Sequence, residues 1–203
     1  TYCTVLYGLI LVGRIRRGQT ILLDTGDVGQ CGVNVATYFG CQIFTTAHQM
    51  GASLQRLIMK ATYGKGVDIV LGSLSEDKMA HLRYLAPRGI FLNVVNYDSP
   101  NSFDLSHLSN NRTFASINLS AIFEADQKTK KQLNHLVNQG IRIGYVKPIP
   151  RRVFEADSVT DALNCIGTTG KVIVKVRDEE PFTVESPRKM ALLAKPRFYC
   201  DST

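Results

Sequence analysis

The chain has 203 residues, is 44% hydrophobic and 20% charged, and carries a formal charge of +7, which describes an ordinary globular chain of roughly one domain or one and a half. No apolar run reaches the roughly eighteen residues a spanning helix needs, so no membrane partner is expected. The basic clusters Arg14-Ile15-Arg16-Arg17, Lys128-Thr129-Lys130-Lys131 and Arg151-Arg152 have no aromatic residues between them, so they read as a solvated face and not a nucleic-acid surface.

In chain order, the first apolar stretch is Tyr7 to Val12, broken by Gly8 and stopped by Gly13. It is too short for a signal-peptide core, so no targeting segment is expected. Gln19 to Asp24 reads as a buried strand and Gly29 to Tyr38 as a helix with Cys31, Val35 and Ala36 inward. Cys41 to Thr45 is a second strand, Ser53 to Thr62 a helix with Leu54, Leu57, Ile58 and Ala61 on one face, and Val67 to Leu71 a third, β-branched strand. A helix over Glu76 to Leu85 is closed by Pro87 and Gly89. Ile90 to Val95 and Thr113 to Leu119 are the next strands. Thr129 to Gln139 is an amphipathic helix ended by Gly140. Ser158-Val159-Thr160-Asp161 resembles a capping box opening a short helix that Gly167 ends, and Lys171 to Val176 is a last strand. From Asp178 the prolines 181, 187 and 196 mark a linker or tail.

The cysteines are Cys3, Cys31, Cys41, Cys165 and Cys200. They form no C-x-x-C pair, and with His48, His81, His107 and His135 they offer no zinc spacing. No metal site is expected, and the thiols read as reduced packing residues of a cytoplasmic protein.

Chemistry concentrates at Asp24-Thr25-Gly26-Asp27-Val28-Gly29-Gln30-Cys31-Gly32, between a strand and a helix. A helix N-terminus offers free amides and a positive dipole end, and glycines let the backbone approach an anion. The spacing is Gly26-x-x-Gly29-x-x-Gly32, not G-x-G-x-x-G, and a tight turn of no function fits it as well. After the second strand, Phe44-Thr45-Thr46-Ala47-His48 offers no carboxylate for a ribose 2′-hydroxyl. That disfavours NAD and leaves room for a 2′-phosphate. His48 and Arg56 are the local candidates to meet one, and Arg56 also reads as a solvated helix residue.

Taken together, Tyr7-Gly8-Leu9, Val12 to Thr20, Val28-Gly29-Gln30, Gly40 to Thr46, Gly64 to Leu71, Ser73-Leu74, Gly144 to Pro148, Val153-Phe154 and Thr169 to Arg177 resemble the enoyl reductase region of animal-type fatty acid synthase. That region is a relative of quinone reductases and medium-chain dehydrogenases. Pro196 to Cys200 resembles its connector to a ketoreductase. The resemblance implies an α/β fold, a Rossmann-like doubly wound parallel sheet. It is incomplete here, with C-terminal return elements of a substrate lobe that would precede Thr1. It implies a dinucleotide-binding domain over 1–144, a return segment over 145–177 and a linker over 178–203. The implied reaction is reduction of an enoyl thioester on acyl carrier protein by NADPH in fatty acid biosynthesis. The implied partners are neighbouring synthase modules, within a homodimer by analogy. The cofactor positions carried over are Thr25, Gly26, Asp27, Val28, Gly29, Thr46, Arg56, Leu74 and Lys171.

The chain departs from that pattern in three places besides the lobe. The diphosphate turn has lost about two residues and gained Asp27, which either repels the ligand, at about 1 kcal/mol or more where shielded, or caps the helix. Between Thr46 and Gly64 there is no room for the family's further strand and helix, nor for its Ser-x-x-Lys-Arg clamp. Loss of a strand would bare its neighbour's edge. The two family proton donors, a Lys and an Asp, are replaced by Asn96 and Ser120, so the catalytic residues are unknown. The fragment alone is expected to be weak or inactive as an enzyme. The alternatives are a non-catalytic remnant in a synthase-like chain and a free-standing quinone reductase relative.

Overall fold

The structure is a computed structural model that describes residues 1–46, 51–73, 82–95, 108–124, 126–165 and 170–176. Its centre is a five-stranded, wholly parallel sheet in the order β2-β1-β3-β4-β5, made by β1 (Thr20–Leu23), β2 (Gln42–Thr45), β3 (Val67–Gly72), β4 (Leu85–Val94) and β5 (Thr113–Ile117). Helices cover both faces, as a parallel sheet requires, and the inner strands are accordingly apolar almost throughout. Alternate residues point to opposite faces. Ile21, Leu23, Ile69, Leu71, Leu92 and Ile117 are buried on one side with Leu6 and Leu9, with Val35 and Ala36, and with Leu133. Leu22, Val70 and Phe91 are buried on the other with Leu54 and Ile58.

On the first side lie α1 (Tyr2–Leu6), a π-helical segment (Tyr7–Val12) that continues it, α2 (Asp27–Tyr38), α4 (Leu119–Glu124) and α5 (Gln127–Ile143). On the second lies α3 (Gly51–Ala61). The chain runs from β1 outward to β2 and then crosses back through α3 to β3 on the far side of β1. A doubly wound sheet commonly has the order 3-2-1-4-5-6. Among the described residues this one corresponds to that order without its outermost strand, which leaves β2 at the rim. The shortness of the 46–64 stretch is visible as topology.

A second, two-stranded parallel sheet pairs β6 (Arg151–Glu155) with β7 (Lys171–Lys175), joined by a 3-10 turn (Ala156–Ser158) and α6 (Val159–Asn164). The strand β6 was not read from the sequence, because its polar Arg151-Arg152 start hides the alternation that registers Val153 with Ile173.

Three sequence expectations are corrected. Leu85 belongs to β4, not to a helix, because it pairs with Val67 ahead of a register shift. Residues 82–84 form a single 3-10 turn, and the rest of the expected helix, 76–81, lies outside the described residues, as do Gly167 and the tail from 178. Ser158 makes no cap; its hydroxyl donates to Asp157 Oδ1 (3.2 Å). The helix expected to stop at Gly140 continues to Ile143 and ends at Gly144, which adopts a left-handed φ of 94°. Gly140 is a packing site: its carbonyl accepts from the amides of Gly144 and Val146, and the Tyr145 ring and Val146 occupy the space a side chain would need. Gly140→Ala should therefore lower the unfolding free energy by about 1–3 kcal/mol in urea denaturation, far beyond what an exposed Gly→Ala change does.

Candidate functional site

At the carboxyl edge of the sheet, β1 and its neighbours diverge: β2 lies on one side and β3 on the other, with their connections leaving in opposite directions. Such a switch point opens a crevice, and ligands of doubly wound sheets sit there. The turn from β1 into α2 forms its floor.

That turn is held from below by Asp24, a residue only 8% exposed. Its amide donates to the Leu71 carbonyl of β3 (3.0 Å), and its Oδ1 accepts from the Thr25 amide (3.0 Å) and the Thr46 hydroxyl (2.7 Å). The Thr46 hydroxyl in turn accepts from the Thr25 amide (3.1 Å), and the Thr46 amide donates to the Leu23 carbonyl (3.1 Å). The ends of β1, β2 and β3 are thus pinned at one residue, through its amide to β3 and its carboxylate to Thr46 beside β2. Sequence reading placed Asp24 in the candidate segment but gave it no role; the available signal was an acid closing an otherwise apolar strand just before Thr-Gly.

The three glycines have separate causes. Gly26 has a φ of 101° and nothing within 4 Å of where a Cβ would stand, so it turns the chain beside open space. A Cβ on Gly29 would run into the Asp24 carbonyl oxygen, and one on Gly32 would stand 2.9 Å from a Leu23 methyl. These two let α2 lie close on β1. Helix α2 starts at Asp27 with Gly26 as its cap residue and no side-chain cap, so its opening amides are presented at the crevice.

Asp27 does not cap the helix. It is the first helical residue, and its Oδ2 pairs with Lys171 Nζ at 2.7 Å. Lys171 begins β7, so the second sheet reaches the turn through this pair. The lysine side chain is half exposed, which limits the pair's contribution to stability to about 1 kcal/mol or less. Behind it, burial pushes the Cys31 thiol of α2 above its ordinary range, keeping it a neutral packing group at physiological pH.

Of the residues expected to hold a cofactor, the structure gathers Thr25, Gly26, Asp27, Val28, Gly29, Thr46 and Lys171 at this edge. Arg56 lies exposed on α3 with no contact to the turn among the described residues. Ser120 is exposed on α4, its amide donating to Asn118 Oδ1 (2.9 Å). Leu74, Asn96 and His48 lie outside the described residues.

Residues 43–174 match a protein family described as zinc-binding dehydrogenase. Across its whole length the chain is 28% identical to the squalestatin hexaketide synthase of a Phoma species, of which it spans 9%. That alignment of 203 residues runs over 232 positions, so the relative carries residues inside this span that the chain lacks. The CurK enoyl reductase matches with a TM-score of 0.74 and 23% identity, over 86% of this chain and 60% of that one. The nucleotide-binding subdomain of the enoylreductase domain of PpsC from Mycobacterium tuberculosis matches with a TM-score of 0.61 and 27% identity, over 72% of this chain and 94% of that one. Despite the family's description, no group of three or more His, Cys, Asp or Glu side chains stands together among the described residues. Nor, among them, is any helix long and apolar enough to cross a membrane.

Thr46→Val keeps shape and removes two hydrogen bonds of the turn, the one given to the buried Asp24 carboxylate and the one taken from the Thr25 amide. It should cost about 1–3 kcal/mol in urea denaturation, and Thr45→Val, one residue earlier on the strand, should cost much less.

Proposed function

The chain belongs to the zinc-binding dehydrogenase family, and from that premise we propose that it is the dinucleotide-binding part of an NADPH-dependent enoyl reductase module in a large synthase. The observation that carries the reading is the Gly26 turn, which feeds uncapped amides into the crevice at the β1–β3 switch point. A diphosphate fits there: the space beside Gly26 is open, the helix dipole is positive, and Lys171 supplies a cation. On this reading the amides of Gly26 to Gly29 hold the diphosphate, Thr46 and Asp24 hold the turn, and Lys171 balances charge. Bound NADPH would supply the hydride.

The synthase relatives support a reductase segment inside a larger synthase; on this reading residues 1–144 are the nucleotide part, 145–177 a return segment toward a substrate lobe, and 178–203 a connector. Their names are those of polyketide synthases. A fatty acid synthase parent, cytoplasmic and homodimeric by analogy, is the narrower form of the proposal and rests on the motif resemblance alone. An enoyl thioester on acyl carrier protein is the proposed substrate.

A second reading, a module that binds dinucleotide without turning over substrate, is favoured by Ser120, an exposed serine at a family proton-donor position. Loss of general-acid help typically costs about 10²–10⁴ in rate.

NADPH titration of the chain, followed by nicotinamide fluorescence, should give saturable binding. Gly26→Ala, strained at this φ, should weaken it about tenfold while far-UV circular dichroism stays unchanged. An absence of saturable binding by the unaltered chain would overturn the dinucleotide reading. With a crotonyl thioester, turnover near the ~10 s⁻¹ of an ordinary enzyme would overturn the second reading.

A further inference from the structure

Resting on the dinucleotide reading of this turn, we propose that Asp27 is a built-in competitor for the diphosphate and that Lys171 exchanges one for the other as ligand binds. The carboxylate stands on the first residue of α2, where the helix dipole favours an anion and where a ligand phosphate would also lie. It already holds the nearest placed cation, Lys171 Nζ, at 2.7 Å. Asp24, at the same edge, accepts from the Thr25 amide and the Thr46 hydroxyl.

The lysine is built to move at its tip only. Its amide donates to the Pro150 carbonyl (2.9 Å), and the preceding Gly170 has a φ of 72°, with that same carbonyl crowding any side chain there. The backbone is pinned, whereas the side chain is 52% exposed, twice the 25% of Asp27. An arriving diphosphate brings negative charge against Asp27 and draws Lys171 away from it. The protein thus loses a pair it already had, and affinity is set lower than the same turn with a neutral residue would give.

The test is NADPH affinity of the full chain, by nicotinamide fluorescence, for the unaltered protein, Asp27→Asn, Lys171→Met and the double variant, with circular dichroism confirming the fold of each. Asp27→Asn should bind about tenfold tighter at low salt, and the advantage should shrink as salt screens the repulsion. Lys171→Met should bind about tenfold more weakly, and adding Asp27→Asn to it should recover most of that loss. Should Asp27→Asn not fold, Asp27→Ser tests the same point. Equal or weaker binding by the neutral variant, while the unaltered chain binds, overturns the competitor role and leaves the dinucleotide reading standing. No binding by any of the four overturns both.

Discussion

Helix α2 rests so near the end of β1 that the Asp24 carbonyl occupies the place of a side chain at Gly29, and Leu23 fills the place of one at Gly32. A larger residue at either point would lift the helix off the sheet, and protein interiors give little room for that. The same closeness recurs at Gly72, where a Cβ would stand 2.9 Å from the Asp24 Cβ, so the Asp24 side chain takes the room beside the end of β3. With strand, helix and neighbouring strand drawn together, the first amides of α2 open onto a crevice and not onto bulk apolar packing. Every proposed feature of the site follows from that contact: the direction of the amides, the inward carboxylate of Asp24, and the outward one of Asp27.

The second sheet bears on the same place. Lys171 meets the turn from the start of β7, and Tyr2 ties the opposite flank together. Its hydroxyl accepts from Asn34 Nδ2 of α2 (2.8 Å) and from the Lys147 amide beyond α5 (2.9 Å). Segments far apart in sequence therefore converge on α2. On its solvent side β6–β7–α6 leaves Val153, Ile173 and Leu163 substantially exposed.

Much of the sheet was legible because buried parallel strands are short apolar runs: Thr20–Leu23 and Val67–Gly72 announce themselves. The glycine spacing located the turn, and the short 46–64 stretch foretold a rim at β2. What stayed hidden depended on partners remote in sequence. Leu85 looked helical until Val67 claimed it, and Gly140 looked like a stop until Tyr145 needed its space. The π-helical segment Tyr7–Val12 was seen only as an apolar stretch with glycines in it. At the site, Asp27 was weighed as a cap or a repulsive charge, but its pairing with Lys171 joins residues 144 apart and has no local signature. The role of Asp24 stayed hidden because it lies in bonds to Leu71 and Thr46, remote in sequence.

The bare rim at β2 has a consequence of its own. A doubly wound sheet is laid down outward from its middle, so its parts are not equally expendable. Excision at the margin shortens the fold but spares the pocket-forming seam between β1 and β3, whereas an equal excision at the seam would erase it. A chain shortened at this point is a narrower sheet whose inner strands keep their pairing.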